Sequence, residues 1–372
     1  MKFTCEKSVL QEAVNISSQT VSPKSTLAAL EGLLLEAGSD LHITGYDLKT
    51  GIRTVVSADV SVPGSIVLNS RLFVDIIRKL PDDIISIECG DNYMTTITCG
   101  MSKFNIMGIN PADFPEMPSV ESQSSVYILE KTLKNMISQT NFSVSTNDAR
   151  PIHTGSLFDI EGGMLTLVSV DGYRLALRKE HLAASDLEKC SFVVPGTALN
   201  QVERIASEKS EEAVKITLGL KHIMFTIGNT VLVSRRLEGE FLNYKNAIPK
   251  TFKHKVEVYR SDFIASVDRV SLIINDKNKS PVRCRFGDGV LKMSASTPLG
   301  SAADECNIKG NGEGLIIGFN NRYMMEAAKA APADEFSVKL NSGLSPAVIV
   351  PVDGGESFLY MILPVRLTSY ED

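Results

Sequence analysis

The stretch GSLFDIEGGMLTLVSVDGYRL, residues 155–175, contains the pattern that decides the fold. Apolar and polar residues largely alternate along 155–161 and again along 164–170. Such alternation is typical of a β-strand with one buried face, and a Gly-Gly pair between two alternating runs is typical of a hairpin turn. The stretch is therefore predicted to form two antiparallel strands joined by a turn at Gly162 and Gly163.

The same pattern occurs twice more, in LEGLLLEAGSDLHITGYDL (30–48) and in VRCRFGDGVLKMSAS (282–296). Leu41, Leu165 and Leu291 hold equivalent positions, so the chain repeats with a period of about 125 residues. Self-similarity at a fixed period indicates a chain built from copies of one structural unit. We interpret the sequence as three such copies rather than three unrelated domains of equal length.

Two further sets of segments agree with this period. One set is a short β run followed by a helix of about ten residues with apolar residues three and four apart, and it comprises SIVLNSRLFVDIIRKLP (65–81), SFVVPGTALNQVERIAS (191–207) and GLIIGFNNRYMMEAAKAAP (314–332). The other set opens each repeat with a strand that leads into an amphipathic helix, in MKFTCEKSVLQEAVNIS (1–17), VYILEKTLKNMISQTNFS (126–143) and VEVYRSDFIASVDRVSLI (256–273). Each repeat is therefore predicted to contain two strand–helix units, which makes six helices.

The fold class predicted from these patterns is α+β, with three similar domains. The 372 residues exceed what one ordinary core organises. Turn-forming residues mark the joins at NPADFPEMPS (110–119) and near 249–254. We expect domains at 1–120, 121–249 and 250–372.

Composition predicts a globular cytoplasmic protein without a metal, a cofactor or a catalytic site. The apolar share is 43% and the charged share 22%, and no run reaches the roughly 20 apolar residues of a membrane helix. The first residues, MKFTCEKSVL, have no apolar core of a signal peptide. The six cysteines form no CxxC pair, and the five histidines form no HExxH motif. An enzyme with a site of unfamiliar design is the alternative.

Six short motifs, in chain order, resemble one family along the whole chain. They are MKFTCEK (1–7), NPADFP (110–115), VDGYRLAL (170–177), GEF with NY (239–244), IGFNNRY (317–323) and LPVRL (363–367). In this order, and within three repeats of this size, they resemble the bacterial DNA polymerase III beta subunit, the sliding clamp. The resemblance implies three clamp domains per subunit. It also implies a head-to-tail dimeric ring with sheets outside and helices lining a hole for duplex DNA.

Helix dimensions give a separate reason to expect two subunits. Six helices about 10 Å wide, side by side, would enclose an opening of only about 9 Å. Twelve helices would enclose about 28 Å, which is enough for a duplex about 20 Å across. Two chains of this length are therefore expected to encircle DNA where one cannot.

The resemblance implies a pocket between the second and third domains that binds short peptides of the replicative polymerase, the clamp loader and repair proteins. An apolar cleft with a few polar groups suits such a peptide. Carrying the family's positions over residue by residue assigns to the pocket Val170, Gly172, Tyr173, Arg174, Leu175, Leu242, Ala247, Asn320, Tyr323, Met361, Leu363, Pro364, Val365 and Arg366.

Alternatives and departures accompany this pocket. For Leu175, Leu242 and Leu363 the alternative is domain core, and pocket lining is favoured for Leu175 and Leu242. The family often has proline at Leu242 and leucine at His153, and its chains usually end at the Arg-Leu pair, whereas Thr368–Asp372 continues past it here. We expect a more polar pocket wall at His153 and an acidic tail beside the pocket.

Contacts with DNA and with the second subunit are also implied. The predicted helices carry more basic than acidic residues, although the chain as a whole has a net charge of −6. The DNA-contacting candidates are two loop residues and four helix residues, namely Lys24, Asn147, Arg71, Arg78, Lys79 and Lys134. The dimer candidates are Phe104, Leu272 and Ile273, for which intradomain core is the alternative. A peptide-binding ring scaffold that is not loaded on DNA is the second function left open.

Overall fold

The structure, a computed structural model, describes residues 1–121, 124–275 and 280–367. The chain divides into two compact units. The first unit is made of Met1–Leu133, Ala183–Leu187 and Gln201–Arg236. The second unit is made of Lys134–Leu182, Glu188–Asn200 and the described residues from Leu237 onward. The tail for which we predicted a place beside the pocket, Thr368–Asp372, lies outside the described residues.

Within the described ranges the chain forms seven α-helices and 24 β-strands. The helices are α1 (Lys7–Ser17), α2 (Ser70–Lys79), α3 (Glu130–Ser138), α4 (Gly196–Ile205), α5 (Tyr244–Ala247), α6 (Arg260–Ser271) and α7 (Asn321–Ala330). The strands are β1 (Lys2–Glu6), β2 (Gly32–Ala37), β3 (Leu41–Tyr46), β4 (Thr50–Val56), β5 (Asp59–Val62), β6 (Gly64–Asn69), β7 (Ile84–Cys89), β8 (Met94–Cys99), β9 (Ser102–Met107), β10 (Ser125–Leu129), β11 (Gly155–Glu161), β12 (Met164–Val170), β13 (Arg174–His181), β14 (Ala184–Ser185), β15 (Lys189–Pro195), β16 (Ala213–Leu218), β17 (His222–Ile227), β18 (Thr230–Arg235), β19 (His254–Tyr259), β20 (Val282–Thr297), β21 (Gly300–Phe319), β22 (Glu335–Leu340), β23 (Ala347–Pro351) and β24 (Phe358–Ile362).

The six longer helices occupy the six segments in which the sequence predicted them, and each follows a strand at once. Helix α2 shows why. Its apolar stripe, Phe73, Ile76 and Ile77, is at most 5% exposed, as residues three and four apart on one helix face should be. The side chain of Asn69 caps the helix by accepting a hydrogen bond from the Leu72 amide. The α+β expectation is confirmed at the level of elements.

Three sheets organise the two units. The first unit holds a five-stranded sheet in the order β5-β1-β7-β8-β9 and a nine-stranded sheet in the order β14-β10-β16-β17-β18-β4-β3-β2-β6. The second unit holds a ten-stranded sheet in the order β15-β11-β12-β13-β24-β23-β22-β19-β21-β20. The predicted hairpin at 155–170 is confirmed, since β11 pairs antiparallel with β12 from Leu157↔Val168 to Glu161↔Met164.

The two large sheets each join strands of two neighbouring repeats. In the first unit β4 pairs with β18, and in the second unit β13 pairs with β24. We call these pairs the first and second junctions. Because each sheet runs through a junction, the compact units do not follow the sequence repeats, and the boundaries at 120/121 and 249/250 stay predictions.

The third repeat differs from the other two in its first hairpin segment. Residues 282–297 form one continuous strand, β20, whose register with β21 shifts on both sides of Asp288. These shifts coincide with the predicted turn, where Gly289 has a φ of +69°. No helix among the described residues is long and apolar enough to cross a membrane.

Candidate functional site

Four apolar members of the predicted peptide pocket belong to one cluster on the ten-stranded sheet, at the second junction. Leu175 of β13 lies directly opposite Met361 of β24. Val170, at the end of β12, packs into the same cluster, together with half-buried Ala247. Leu175 is 1% exposed and Met361 is 7% exposed. These two side chains therefore form the floor of the site and belong also to the core, so the two alternatives were not exclusive.

Leu242 differs from this floor because it is 44% exposed in the loop before α5. Asn243 follows it and caps α5, since its side chain accepts a hydrogen bond from the Asn246 amide. The cap fixes the backbone next to Leu242, whose side chain is partly exposed to solvent. Leu242 is thus not core, and it is free to contact a ligand.

The turn that joins β12 to β13 is shaped by the side chain of Asp171. One carboxylate oxygen accepts hydrogen bonds from the amides of Tyr173 and Arg174, at 2.9 and 3.0 Å. Gly172 has a φ of +92°, a conformation that glycine adopts without strain. The result is a fixed turn that presents Tyr173 to solvent, 64% exposed.

Arg174, which the resemblance assigns to the pocket, is buried rather than open to solvent. It is 8% exposed. Its guanidinium donates hydrogen bonds to Asp171 and Glu326, and it lies 4.3 Å from the centre of the Tyr323 ring. A buried charge that is paired and hydrogen-bonded in this way is costly to disturb. Arg174 therefore holds the turn and helix α7 in place instead of offering a free charge to a ligand.

The last described residues run between this turn and the third repeat. The Leu363 amide donates to the Tyr173 carbonyl at 2.9 Å, and the Val365 amide donates to the Gly318 carbonyl at 2.8 Å. Leu363 and Pro364 are half-buried, whereas Val365 and Arg366 are exposed. The run thus borders the turn and can contribute both an apolar and a cationic group.

Asn320 has a structural role that the motif did not indicate. Its side-chain oxygen accepts hydrogen bonds from the amides of Arg322 and Tyr323, at 3.0 and 3.3 Å, and so caps α7. The cap positions Tyr323 beside Arg174. Asn320 therefore acts on the site through the helix that it begins.

A cleft of about 430 Å³ lies over the Asp171 turn. We call it the turn cleft, and its lining includes Asn147, His153, Gly172, Tyr173, Arg174 and Tyr323. The structure thus brings Tyr173, Arg174 and Tyr323 of the predicted pocket together, whereas Asn320 and Arg366 do not line this cleft. It also places Asn147, predicted as a DNA contact, in the wall of the same cleft.

His153 makes one wall of the turn cleft partly aromatic. Its ring packs edge-on against Phe241, with 5.6 Å between the ring centres. Burial, together with the nearby Arg150 cation, lowers the pKa of His153. The imidazole is therefore neutral at neutral pH and less polar than the sequence suggested. Phe241, Arg150 and Arg322 were missed because lone residues in loops and at a helix start show no periodicity.

The predicted DNA contacts lie apart from one another in sequence and differ in setting. Arg71, Arg78 and Lys79 are on the exposed face of α2, where Arg78 pairs with Asp75 at 2.5 Å. Lys24 is in an exposed loop, and Lys134 on α3 is half-buried. The α2 residues form the most compact basic group of the set.

Two of the three predicted dimer residues, Phe104 and Leu272, are exposed rather than core. Phe104 lies on β9, the edge strand of the five-stranded sheet, and is 38% exposed. Leu272 follows α6 directly and is 82% exposed. Ile273 is half-buried and packs against the core of its own unit. The intradomain-core alternative therefore holds only for Ile273.

Comparison with known proteins identifies the family. Models of the N-terminal, central and C-terminal domains of the DNA polymerase III beta subunit match residues 1–118, 127–243 and 245–366. The chain belongs to the DNA polymerase III beta subunit family. This confirms the resemblance predicted from the motifs, and it confirms a fold of three clamp domains.

Members of the beta subunit family match along nearly the whole chain. The beta sliding clamp of Staphylococcus epidermidis is 32% identical over 98% of this chain and 99% of its own length, and that of Staphylococcus aureus is 33% identical over the same shares. Among solved structures, a putative beta subunit of Eubacterium rectale (32% identity) and the sliding clamp of Bacillus subtilis (30% identity) both reach a TM-score of 0.93. Each covers 99% of this chain and is itself covered completely.

Proposed function

We propose that this chain is a cytoplasmic DNA sliding clamp. Two copies close into a ring around duplex DNA, and each copy tethers the replicative polymerase, the clamp loader and repair proteins through short peptides. The observation that carries the proposal is the match to beta sliding clamps along 98% of the chain. A ring that holds DNA by encirclement needs neither a catalytic group nor a cofactor.

The junctions support a head-to-tail dimer because both have the same register. Tracing equivalent positions through the strand pairings aligns Ile52 with Ala176 and with Ala302. The same tracing aligns Leu232 with Tyr360 and with Phe104. Ile52 lies opposite Leu232 at the first junction, and Ala176 lies opposite Tyr360 at the second. At both junctions, therefore, the last strand of one repeat pairs in the same register with a strand of the repeat before it. This is the rule by which one repeat joins the next.

Among the described residues, the strands that would form a third junction by this rule do not pair with each other. Strand β19 pairs with β21 only at Ile308 and Lys309, so Gly300–Cys306 has one unpaired edge among the described residues. The other candidate edge is β9, at the end of the five-stranded sheet. Unpaired edges are templates for pairing with another chain. The rule places Ala302 of one subunit opposite Phe104 of the next.

Exposure of the equivalent side chains agrees with this arrangement. Leu232 and Tyr360 are at most 1% exposed at the closed junctions, whereas Phe104 is 38% exposed. Helix starts align Leu272 with Phe142, and Phe142 packs edge-on against Tyr360 with 5.8 Å between ring centres. Leu272 is thus expected to pack against the second subunit's Phe104. Two such contacts close the ring.

The peptide site of the proposal is the second junction with its turn cleft. A floor of Val170, Leu175 and Met361 offers apolar contact, while the exposed Leu242 and the half-buried Leu363 offer anchors. The backbone groups of the Asp171 turn and the exposed Arg366 supply polar contacts. Such a site suits moderate affinity for several partners in turn, because a few anchors dominate binding.

The DNA contacts of the proposal are weak and independent of base sequence. Lys24, Lys134, Asn147 and the α2 cations would touch phosphates only. Phosphate contacts position a protein without reading bases. Such contacts let a ring slide.

Retention on DNA of different topology tests the proposal. The clamp is loaded on nicked circular DNA by a clamp loader, and half of the sample is then linearised. An encircling clamp stays on the circle and leaves the linear DNA from its ends. Loss at equal rates from both would contradict encirclement and favour a peptide-binding scaffold that is not loaded on DNA.

A further inference from the structure

A larger cleft, of about 980 Å³, lies beside the second junction in the same unit. We call it the linker cleft, because part of its wall is the segment that leads from α5 into the third repeat. Its lining includes Leu177, Tyr244, Lys250, Phe252, Lys339 and Leu359. None of these residues belongs to the predicted peptide pocket.

The floor of the linker cleft continues the floor of the peptide site. Leu177 and Leu175 are two residues apart on β13 and belong to one apolar cluster. Side chains two apart on a strand share a face and lie about 7 Å from each other. Tyr244, Phe252 and Leu359 extend this cluster into the linker cleft. A chain that binds at Leu175 reaches the linker cleft within a few residues.

The acidic side chains of the lining are already paired. Asp159 accepts a hydrogen bond from the Tyr244 hydroxyl at 2.6 Å and lies 3.3 Å from the Lys245 ammonium. Glu161 pairs with Lys189 at 2.7 Å. Glu180 pairs with Arg178 and Glu356 pairs with Lys179, each at 2.5 Å.

Two cations of the lining are less closely compensated. Lys339 acts on Glu356 only at longer range, since Lys179 and, to a smaller extent, Lys339 lower the pKa of that carboxyl. Lys250 and Lys339 make no ion pair with a carboxylate in the part of the chain that the structure describes, and the Lys339 ammonium lies 5.5 Å from the centre of the Phe252 ring. The charge available to a ligand at this cleft is therefore positive. The two ammonium groups that carry this charge lie beside the apolar floor of the linker cleft.

We propose that the linker cleft binds an acidic segment that flanks the anchor peptide of a clamp partner. An aromatic or aliphatic side chain of that segment lies on the floor between Leu177 and Phe252, and its carboxylates pair with Lys250 and Lys339. This inference rests on the proposed peptide site at the second junction. It adds a second contact that separates partners with acidic flanks from partners without them.

Synthetic peptides test the inference on the full-length chain. The first probe is the pentapeptide Gln-Leu-Ser-Leu-Phe. Two longer probes carry Asp-Phe-Asp-Glu, joined through Gly-Gly, at the N-terminus or at the C-terminus. Matched probes carry Asn-Phe-Asn-Gln instead. Affinities are measured by calorimetry at low salt.

At least one acidic extension is expected to tighten binding about fivefold, since two ion pairs and one apolar contact each contribute modestly. The neutral extension gains less. The gain from acidity disappears in Lys250→Glu/Lys339→Glu, which binds the pentapeptide as the wild type does. The control Lys209→Glu/Lys221→Glu makes the same charge change at exposed positions of the first unit and keeps the gain.

The outcomes separate two failures. If the pentapeptide binds but neither acidic extension tightens binding, or if the gain survives in Lys250→Glu/Lys339→Glu, the linker cleft is not the contact. If the pentapeptide does not bind at all, the peptide site of the proposed function is wrong, and the inference that rests on it is overturned as well.

Discussion

At the residue scale, Phe104 and Leu272 show how one repeat position takes two environments. The counterparts of Phe104 at the closed junctions, Leu232 and Tyr360, are buried, and Phe104 is half-exposed. An exposed aromatic side chain on an edge strand is typical of an interface. The same position thus serves as core in two repeats, and in the first it would serve as contact surface in the proposed dimer.

Leu272→Ala is expected to give a folded monomer. Leu272 is 82% exposed in the single chain, so its removal costs the isolated subunit little, whereas the interface loses an apolar anchor of roughly 1 to 3 kcal/mol. Sedimentation measures the oligomeric state. Leu344→Ala, at a 78% exposed leucine away from the proposed edge, is the control that stays dimeric. An intact Leu272→Ala dimer would count against the assignment. Ile273→Ala is a poorer test because Ile273 packs against the core.

Leu242→Ala/Leu363→Ala is expected to weaken binding of a Gln-Leu-x-Leu-Phe peptide by roughly 1 to 4 kcal/mol while leaving stability nearly unchanged. The physical reason is that both side chains are accessible to solvent, because Leu242 is 44% exposed and Leu363 is only half-buried. Calorimetric titration measures the affinity. Met361→Ala differs, because Met361 is 7% exposed and its loss should also destabilise the fold by about 2 to 5 kcal/mol. Unchanged peptide affinity in the double variant would place the partner site elsewhere.

Asp304 gives a pH dependence near the proposed interface edge. Hydrogen bonds from Arg269, and one from Ser266 at 3.0 Å, lower the pKa of Asp304 from 3.8 to about 2. Because the pKa of Asp304 is lower in the folded protein, the ionised carboxylate stabilises the fold at pH values above 3.8. This contribution disappears as the pH falls from 3.8 towards 2.

Thermal melts of Asp304→Asn and its parent should therefore differ above about pH 4 and converge near pH 2. Both proteins carry Leu272→Ala, so that dissociation of a dimer does not contribute. A difference that is constant down to pH 2 would show that Asp304 does not titrate against Arg269.

At the element scale, the strand junctions are the feature that matters most. Because the two junctions share one register, they predict which residues would lie opposite each other at a third junction, between two subunits. The rule places Ser301 of one subunit opposite Asn105 of the next, because Gly51 lies opposite Val233 and Leu175 lies opposite Met361.

Asn105→Cys/Ser301→Cys is therefore expected to form disulfides between subunits and to yield a dimer that resists denaturant. Opposite residues of antiparallel strands have Cα atoms about 4.5 to 5.5 Å apart, within the range of a disulfide. Electrophoresis without reductant measures the product. Asn105→Cys/Ala303→Cys moves one thiol two residues along the strand and should cross-link poorly. Equal yields from both variants would refute the register.

At the scale of the whole molecule, charge decides how DNA is held. The chain has a net charge of −6, and its most compact predicted basic group is the α2 face. A protein of this kind gains little from phosphate neutralisation, and that gain falls steeply with salt. Encirclement, in contrast, does not depend on salt.

Salt titration is expected to separate the two modes. Binding to linear duplex should be weak, without base preference, and lost by moderate salt. Clamps already loaded on closed circles should persist at the same salt concentration, as measured by gel filtration of the DNA. Arg71→Ala/Arg78→Ala/Lys79→Ala should weaken the linear binding further without shortening retention on circles. Retention that falls in parallel with linear binding would show that charge, not topology, holds the DNA.

Local patterns in the sequence determined the elements and the family. The alternation at 155–170 and the stripe Phe73, Ile76 and Ile77 depend on neighbours along the chain, so the hairpin and the helices could be predicted. The three-fold period and the motif order sufficed for the family because each motif is contiguous.

Only the tertiary structure decided which side chains face solvent at the sites. Arg174 is buried because its side chain lies between its own turn, at Asp171, and two segments that are distant in sequence. One is helix α7, which carries Tyr323 and Glu326, and the other is the segment at Phe142, whose carbonyl accepts a hydrogen bond from the guanidinium. The junctions pair strands more than 170 residues apart in sequence, such as Thr54 with Thr230, and their register does not follow from either strand alone. The linker cleft is likewise lined by the connecting segment at Ile248 and Phe252 and by strands of both the second and the third repeat, such as β13 and β24. Contacts between distant segments carry no local periodicity, and they determine the exposed surface with which this protein would bind its partners.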